Sequence, residues 1–187
     1  MNATATQIKN RREAKDVFIT PADLAKKHID IVKNILKDTI DCEEDCEFCG
    51  GVQRWYDPFR ATGRYFDNFP EGEKIEKIWS EITDGKDFFD EDEGLEPTAI
   101  VSNPPYSNIQ AVLEQSVSLN PLIISYLIGL HNLTAKRIEF MEHYGYKIVN
   151  IHLCKVFKWF GMSAIVTWER SNNKKGIIDY DRIVWRE

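Results

Sequence analysis

Apolar residues along the chain fall into short runs typical of buried strands and into repeats of three or four typical of helices. The short runs end before polar, proline-containing or glycine-containing turns, and they predict strands. These strands lie at residues 52–57, 75–81, 98–102, 121–128, 146–153 and 162–168. The helical repeats predict helices that begin near Thr20, Asn108 and either Asn132 or Thr134. This succession of strands and helices is typical of open α/β sheets.

The stretch at residues 98–106 is the most informative part of the chain. Its apolar run reaches Ser102, and the two prolines that follow must end the strand because proline cannot donate to a β-ladder. Past the prolines, Asn108 can cap a helix whose apolar face is formed by Ile109, Val112, Leu113 and Val117. The segment Asn103-Pro104-Pro105-Tyr106 should therefore lie at the carboxyl end of a strand, where open α/β sheets bind ligands.

This four-residue segment suits the binding of an amine on an aromatic ring. Asn103 offers a side-chain carbonyl, and Pro104 offers a main-chain carbonyl on a stiff, extended backbone. Two fixed acceptors side by side can hold both protons of a planar amine, while Tyr106 supplies a flat face for stacking. The simpler interpretation is a polar turn in which Tyr106 only packs.

The first predicted helix has a clear start and one apolar face. Thr20 can cap this helix, Pro21 fits its first position, and Asp23 lies in its first turn. Apolar or weakly polar residues then recur at helical spacing, namely Leu24, His28, Ile31, Val32, Ile35 and Leu36. One face of this helix should therefore be buried against the sheet.

Two further strand ends carry candidate binding residues. The first strand ends at Asp57, and the tight turn Pro58-Phe59-Arg60-Ala61-Thr62-Gly63 follows it. A turn with small residues lets its backbone approach a ligand closely, so its N–H groups can meet a carboxylate. The second strand places Glu81 at its carboxyl end, roughly 20 residues past the turn, where a carboxylate can accept both hydroxyls of a ribose.

Length and charge limit the classes of function. The chain has 187 residues and fits one domain at residues 17–187, preceded by a flexible basic arm at residues 1–16. The absence of a long apolar run and of a secretory signal predicts a cytoplasmic, intracellular protein without a membrane partner. A net charge of −6 argues against indiscriminate phosphate binding.

Three of the four cysteines, Cys42, Cys46 and Cys49, lie close together. They could hold zinc together with Cys154 or a histidine, but they lack the paired spacing of ordinary zinc sites and are crowded by acidic residues. We therefore expect an acidic loop with reduced thiols and no metal.

Several of these segments resemble motifs of one enzyme family. Asn103-Pro104-Pro105-Tyr106 resembles the N-P-P-Y motif of methyltransferases that modify the exocyclic amine of adenine. The turn after Asp57 resembles the D-P-F-x-G-x-G loop, with Ala61 in place of the usual glycine, and residues 84–89 resemble a G-D-F-F turn. With the Thr20-Pro21 helix start, the motifs follow the order of γ-type N6-adenine DNA methyltransferases over about residues 18–170.

This resemblance implies a Rossmann-like fold with a seven-stranded, mostly parallel sheet that ends in an antiparallel hairpin. It implies direct methyl transfer from S-adenosylmethionine to the N6 amine of a flipped adenine. The catalytic residues would be Asn103, Pro104, Pro105 and Tyr106. The cofactor-binding residues would be Thr20 and Pro21 at the methionine, the loop residues Asp57, Pro58, Phe59, Ala61 and Gly63, Glu81 at the ribose, and Asp87 and Phe88 at the adenine.

Three alternatives stay open at this point. The substrate could be adenine in RNA or a glutamine amide in protein, since those enzymes also use N-P-P-F/Y sites. The chain could instead be a non-catalytic, methyltransferase-like binding subunit. It could also be a catalytic subunit that borrows DNA recognition from a partner, because no region has the length of the family's target-recognition domain.

Overall fold

The computed structural model describes residues 19–40, 51–156, 161–171, 176–178 and 180. Within these residues, one sheet is formed by six strands, which are β1 (Gln53–Asp57), β2 (Ile75–Trp79), β3 (Ala99–Ser102), β4 (Ile123–Gly129), β5 (Tyr146–Cys154) and β6 (Ser163–Arg170). Three α-helices flank it, namely α1 (Ala22–Ile40), α2 (Ile109–Ser118) and α3 (Ala135–His143). The predicted arm at residues 1–16 and the cysteines Cys42, Cys46 and Cys49 lie outside the described residues.

The strand order is β2-β1-β3-β4-β6-β5. The first four strands in this order run parallel, while β6 is antiparallel to both β4 and β5. The predicted parallel sheet with a closing antiparallel hairpin is confirmed. Because β1, β2 and β3 are parallel, the loops that follow all three strands emerge at the same edge of the sheet, which we call the carboxyl edge.

The sheet has six strands in the described part of the chain, not the seven that were predicted. The connection from β2 to β3 contains three short 3-10 helices, at residues 82–84, 88–90 and 93–95. Each is capped by an acidic side chain, from Glu81, Asp87 or Asp92, which accepts a hydrogen bond from a main-chain N–H two residues later. In the described part of the chain, β2 is the edge strand next to this connection.

Two hydrophobic clusters cover the two faces of the sheet. The larger cluster places α2 and α3 against residues such as Tyr56, Ile100 and Trp168. The smaller cluster places α1 against Trp55 and Val101. Alternate residues of β1 and β3 thus enter opposite clusters, as expected for strands with helices on both sides.

The ends of the elements agree with the predictions to within about two residues. Helix α1 begins directly after Pro21, and α3 is followed by Gly145, which has a left-handed φ of 82° and donates its N–H to the Glu142 carbonyl. Strand β2 ends at Trp79, so Glu81 lies two residues beyond the strand and forms an isolated bridge with Lys86. No described helix is both long and apolar enough to cross a membrane.

Candidate functional site at the carboxyl edge

Asp57 is the buried centre of the carboxyl edge. Its side chain has no solvent-exposed surface and accepts hydrogen bonds from the Ser102 hydroxyl at 2.6 Å and from the main-chain N–H groups of Phe59 and Phe66 at 3.4 and 3.3 Å. Asp57 ends β1, and Ser102 ends β3 immediately before Asn103. This one carboxylate therefore joins the loop after β1 to the segment that contains Asn103 and Tyr106.

Burial raises the pKa of Asp57 to about 7, against the opposing effect of its hydrogen bonds with Ser102, Phe59 and Phe66. Burial disfavours the ionised form of a carboxyl group, and the nearby Glu81 carboxylate acts in the same direction. A buried carboxyl group that ionises near neutral pH is typical of functional sites. The ionisation of Asp57 is thus sensitive to any charge that comes close to it.

The loop after β1 takes the path expected for a glycine-containing turn. Ala61 has a φ of 44° and Gly63 a φ of 79°, so both occupy the left-handed region. A Cβ atom at Gly63 would lie 2.8 Å from Oδ2 of Asp67, too close for any larger residue without a shift. Ala61 keeps the glycine-like conformation at a cost of roughly 1–2 kcal/mol. The alanine at this position therefore does not change the course of the loop.

Glu81 contacts the same loop. Its Oε2 accepts the main-chain N–H of Ala61 at 2.8 Å, and its Oε1 lies 3.2 Å from both the N–H and the hydroxyl of Thr83. Glu81 is half-buried. A carboxylate oxygen can accept two hydrogen bonds, so Oε2 retains acceptor capacity for a ligand hydroxyl.

The turn predicted to contact adenine lies beside this loop. Asp87 accepts the N–H of Phe89 at 3.1 Å, which fixes the direction of the Asp87 side chain. Phe88 is 1% exposed, and its ring centroid lies 5.2 Å from that of Phe59 and 6.0 Å from that of Tyr56. Phe88 thus belongs to the larger core cluster, whereas Phe89 is half-buried at the surface. An adenine contact through Phe88 stays a prediction.

The segment after β3 is held in an extended conformation. Pro104 is buried, Pro105 has φ −63° and ψ 122°, and a 3-10 turn at residues 106–108 leads into α2. Asn103 and Tyr106 are half-buried, and Oδ1 of Asn103 has almost no solvent-exposed surface. The structure thus places the predicted amine acceptors and the predicted stacking ring at the carboxyl edge, next to the residue that binds Asp57.

Thr20 is joined to the loop after β1 by a buried polar network that the sequence did not predict, whereas Pro21 is exposed. The Thr20 side chain is 4% exposed and hydrogen-bonds the hydroxyl of Tyr65. The Tyr65 hydroxyl also lies 3.1 Å from Nδ1 of His28, and Nε2 of His28 lies 2.7 Å from Oγ of Ser125. Ser125 continues the network to Thr167 on β6 at 2.7 Å. These bonds fasten the start of α1 and the loop after β1 to the middle of the sheet.

His28 is neutral in this network. Burial, and secondly the nearby His152, lowers the pKa of His28 to about 3. Each ring nitrogen has a hydroxyl partner, so a neutral imidazole can donate from one nitrogen and accept at the other. A charged imidazole could not accept a hydrogen bond, and the partners of His28 in this network are the hydroxyls of Tyr65 and Ser125, which carry no negative charge.

Sequence patterns missed Ser102, Tyr65 and His28 as parts of the site. The sequence predicts Ser102 only as the end of a strand and His28 only as a member of an apolar helix face. The polar character of His28 on that face was the available signal, since a buried histidine needs partners. Among the described residues, no group of three histidine, cysteine or acidic side chains could hold a metal ion.

Comparisons with known proteins support the fold. No family model and no curated protein matches the sequence. Among solved structures, magnesium protoporphyrin IX methyltransferase from Synechocystis PCC 6803 with bound SAM matches with a TM-score of 0.50 and 11% identity, over 91% of this chain and 93% of that chain. The chain has a methyltransferase fold. At this identity, the likeness extends to the Rossmann-like architecture alone.

Weaker matches also occur. A human methyltransferase 10 domain containing protein has a TM-score of 0.46 and 12% identity, over 83% of this chain and 85% of that chain. Precorrin-6y C5,15-methyltransferase from Geobacter metallireducens GS-15 has a TM-score of 0.41 and 15% identity, over 64% and 80%. These two likenesses add nothing to the assignment of the fold.

The left-handed conformation of Ala61 predicts an unusual response to glycine. Ala61→Gly should raise the free energy of unfolding by about 0.5–1 kcal/mol, because relief of strain exceeds the entropy that glycine gains in the unfolded chain. The control Ala111→Gly, inside helix α2, should instead lower it by a similar amount. Urea denaturation of both variants measures the difference, and an equal loss of stability in both would contradict the observed loop path.

The neutral state of His28 predicts part of the acid sensitivity of the fold. The folded pKa lies below the unfolded value, so the contribution of His28 is present above about pH 6.5 and is lost as the pH falls toward about 3. His28→Gln cannot take up this proton. The stability difference between wild type and His28→Gln should therefore shrink by about 2 kcal/mol between about pH 7.5 and about pH 5.

Denaturant titrations at both pH values measure this difference. The exposed His143→Gln serves as the control and should follow the wild type at both pH values. A constant difference between wild type and His28→Gln would show that His28 is not a buried, neutral group.

Proposed function

We propose that this protein transfers a methyl group from S-adenosylmethionine to the N6 amine of adenine in DNA. The observation that carries the proposal is the Ser102–Asp57 hydrogen bond of 2.6 Å, which joins the loop after β1 to the segment at Asn103. A methyl donor on that loop and an amine at Asn103 would therefore lie at the same edge of the sheet, on two segments that the Ser102–Asp57 hydrogen bond holds together. The methyltransferase fold that the chain shares with a solved structure supports this interpretation of the carboxyl edge.

The residues at this edge fit S-adenosylmethionine. Ala61 and Gly63 both have left-handed φ values, so the turn follows the glycine-like path that lets a ligand approach a main chain closely. Glu81, with free acceptor capacity at Oε2, would bind the ribose hydroxyls, and Asp87 the adenine amine. Thr20 and Pro21 would contact the methionine end, and Asp57 would stabilise its positive charge. When bound, this cofactor supplies an electrophilic methyl group on a sulfonium.

Asn103 and Pro104 would prepare the amine for attack. The lone pair of an adenine amine is delocalised into the ring, so the amine is a weak nucleophile. Oδ1 of Asn103 and the carbonyl of Pro104 would accept its two protons and stabilise the positive charge that develops on nitrogen. The burial of Oδ1 strengthens this effect because water does not screen it. Tyr106 would stack on the base, which must leave a duplex to reach the edge.

DNA is the proposed substrate because the motifs follow the order found in γ-type DNA methyltransferases. Adenine in RNA is the second candidate, since the acceptors at Asn103 and Pro104 recognise the amine and do not read the sugar. The mechanism also allows a partner chain to supply target recognition. The proposed cellular setting is the cytoplasm.

The substrate class can be tested by incubating the protein with tritiated S-adenosylmethionine and separate pools of DNA, RNA and protein. We expect label in DNA, recovered as N6-methyladenine after digestion. Label in RNA alone would replace the DNA assignment, and label in protein alone would refute the nucleic-acid substrate. The assay should be repeated with cell extract, which restores any partner needed for target recognition.

Two neighbouring asparagines provide a sharp test of the catalytic assignment. Asn103→Ala should lower the single-turnover rate about 10²–10³-fold and leave cofactor affinity nearly unchanged, because its acceptor matters mainly while charge develops. Asn108 lies five residues later and makes no side-chain cap for α2. Asn108→Ala should keep the wild-type rate. Single-turnover kinetics on an adenine-containing duplex compare the two, and a wild-type rate for Asn103→Ala would refute this site.

A further inference from the structure

The rim of the carboxyl edge carries a cluster of cations on aromatic rings, separate from the residues assigned above. The guanidinium carbon of Arg60 lies 4.6 Å from the ring centroid of Trp79 and 5.1 Å from that of Phe66. The amine of Lys86 lies 3.9 Å from the centroid of Trp79. Trp79 is the last residue of β2, so Arg60 and Lys86 both lie where β1 and β2 end.

These rings fix the two cations in place without neutralising them. A cation–π contact attracts a charge to the face of a ring, but the ring carries no net charge of its own. Neither Arg60 nor Lys86 forms an ion pair with a carboxylate in the described part of the chain. Nε of Arg60 is also buried and has no hydrogen-bond acceptor among the described residues. The positive charges of Arg60 and Lys86 are therefore available to bind an anion from outside the chain.

Other cations near β2 differ in this respect. Lys77 lies 5.5 Å from the ring centroid of Phe66, but it pairs with Glu71 at 3.2 Å. Arg54 pairs with both Glu76 and Glu96. Arg60 and Lys86 differ from these two neighbours because each is held against a ring without a carboxylate partner in the described part of the chain, even though Glu81 and Asp84 are close to Lys86 in sequence.

The main chain ties both cations to the residues that follow β2, next to the predicted cofactor loop. The N–H of Arg60 donates to the Ser80 carbonyl at 3.1 Å, and the N–H of Lys86 donates to the Glu81 carbonyl at 3.2 Å. Arg60 directly precedes Ala61 in the loop that Glu81 holds. The cations are thus tied to the same frame as the predicted cofactor loop, although neither is assigned to cofactor binding.

We propose that Arg60 and Lys86, presented on Trp79, bind a phosphate group of the nucleic-acid substrate. This inference rests on the proposed function and adds a contact that holds the nucleic-acid backbone. A guanidinium and an ammonium supply the positive charge and the N–H donors that phosphodiester oxygens accept. Such a contact positions the nucleic acid without reading its sequence. It also explains how a protein with a net negative charge can bind a polyanion, since only the surface at Arg60 and Lys86 needs a positive charge.

The test compares two exposed lysines in the 187-residue chain. Lys86→Gln removes one charge of the rim, whereas Lys37→Gln removes one in the last turn of α1, near Thr39 and Glu169 at the opposite edge of the sheet. Binding of a fluorescent adenine-containing duplex is measured by anisotropy over a range of salt concentrations. Lys86→Gln should weaken binding about threefold to tenfold and reduce the log–log salt slope by about one, and Lys37→Gln should change neither.

Equal affinities and slopes for the two variants would overturn the phosphate site. Competition with inorganic phosphate and with a mononucleotide distinguishes the sources of the anion. The proposal expects both to compete only at concentrations far above those of the duplex, and competition at duplex-like concentrations would refute a site for the polymer.

The outcome is separable from that of the proposed function. If Lys86→Gln binds like wild type while Asn103→Ala still loses methyl transfer, the phosphate site is wrong and the function stands. If wild-type protein binds neither DNA nor RNA and methylates neither, both proposals fail together.

Discussion

The hydrogen bond between Asp57 and Ser102 is the interaction on which the carboxyl edge depends. A carboxyl group with no exposed surface must find donors within the protein, since burial without them would cost several kcal/mol. Asp57 finds them in the Ser102 hydroxyl and in the N–H groups of Phe59 and Phe66. These donors come from the two segments that surround the proposed reaction centre. Satisfying one buried group therefore fixes the relative position of both segments.

In the absence of a ligand, the buried carboxyl group of Asp57 lowers the stability of the folded protein at neutral pH. Its folded pKa lies above the unfolded value, so its favourable contribution is fully present below about pH 4 and is lost as the pH rises through about 7. At neutral pH the protein thus carries a partly ionised, buried acid. The strained turn at Ala61 adds a second local cost beside it. Strain and a disfavoured charge at one edge are typical of a site adapted to bind a ligand.

Local sequence patterns were sufficient for the elements and for the order of the motifs. Proline pairs, apolar runs and glycine stops act within a few residues, and they placed β1, β3, α2 and the closing hairpin correctly. The contacts that organise the site act over long sequence separations, which are 45 positions from Asp57 to Ser102 and 97 positions from His28 to Ser125. No local pattern specifies such partners. The seventh strand came from the family resemblance and from no apolar run of the sequence, and the sheet in the described part of the chain has six strands.

The central claim is that the edge around Asp57 binds S-adenosylmethionine, and calorimetry tests it most directly. The cofactor is titrated into the protein at about pH 6.5 in two buffers with different ionisation enthalpies. The positive cofactor should favour ionised Asp57, so binding should release part of a proton in the wild type and none in Asp57→Asn. Absence of binding heat in both buffers, or binding of wild type without proton release, would contradict this account.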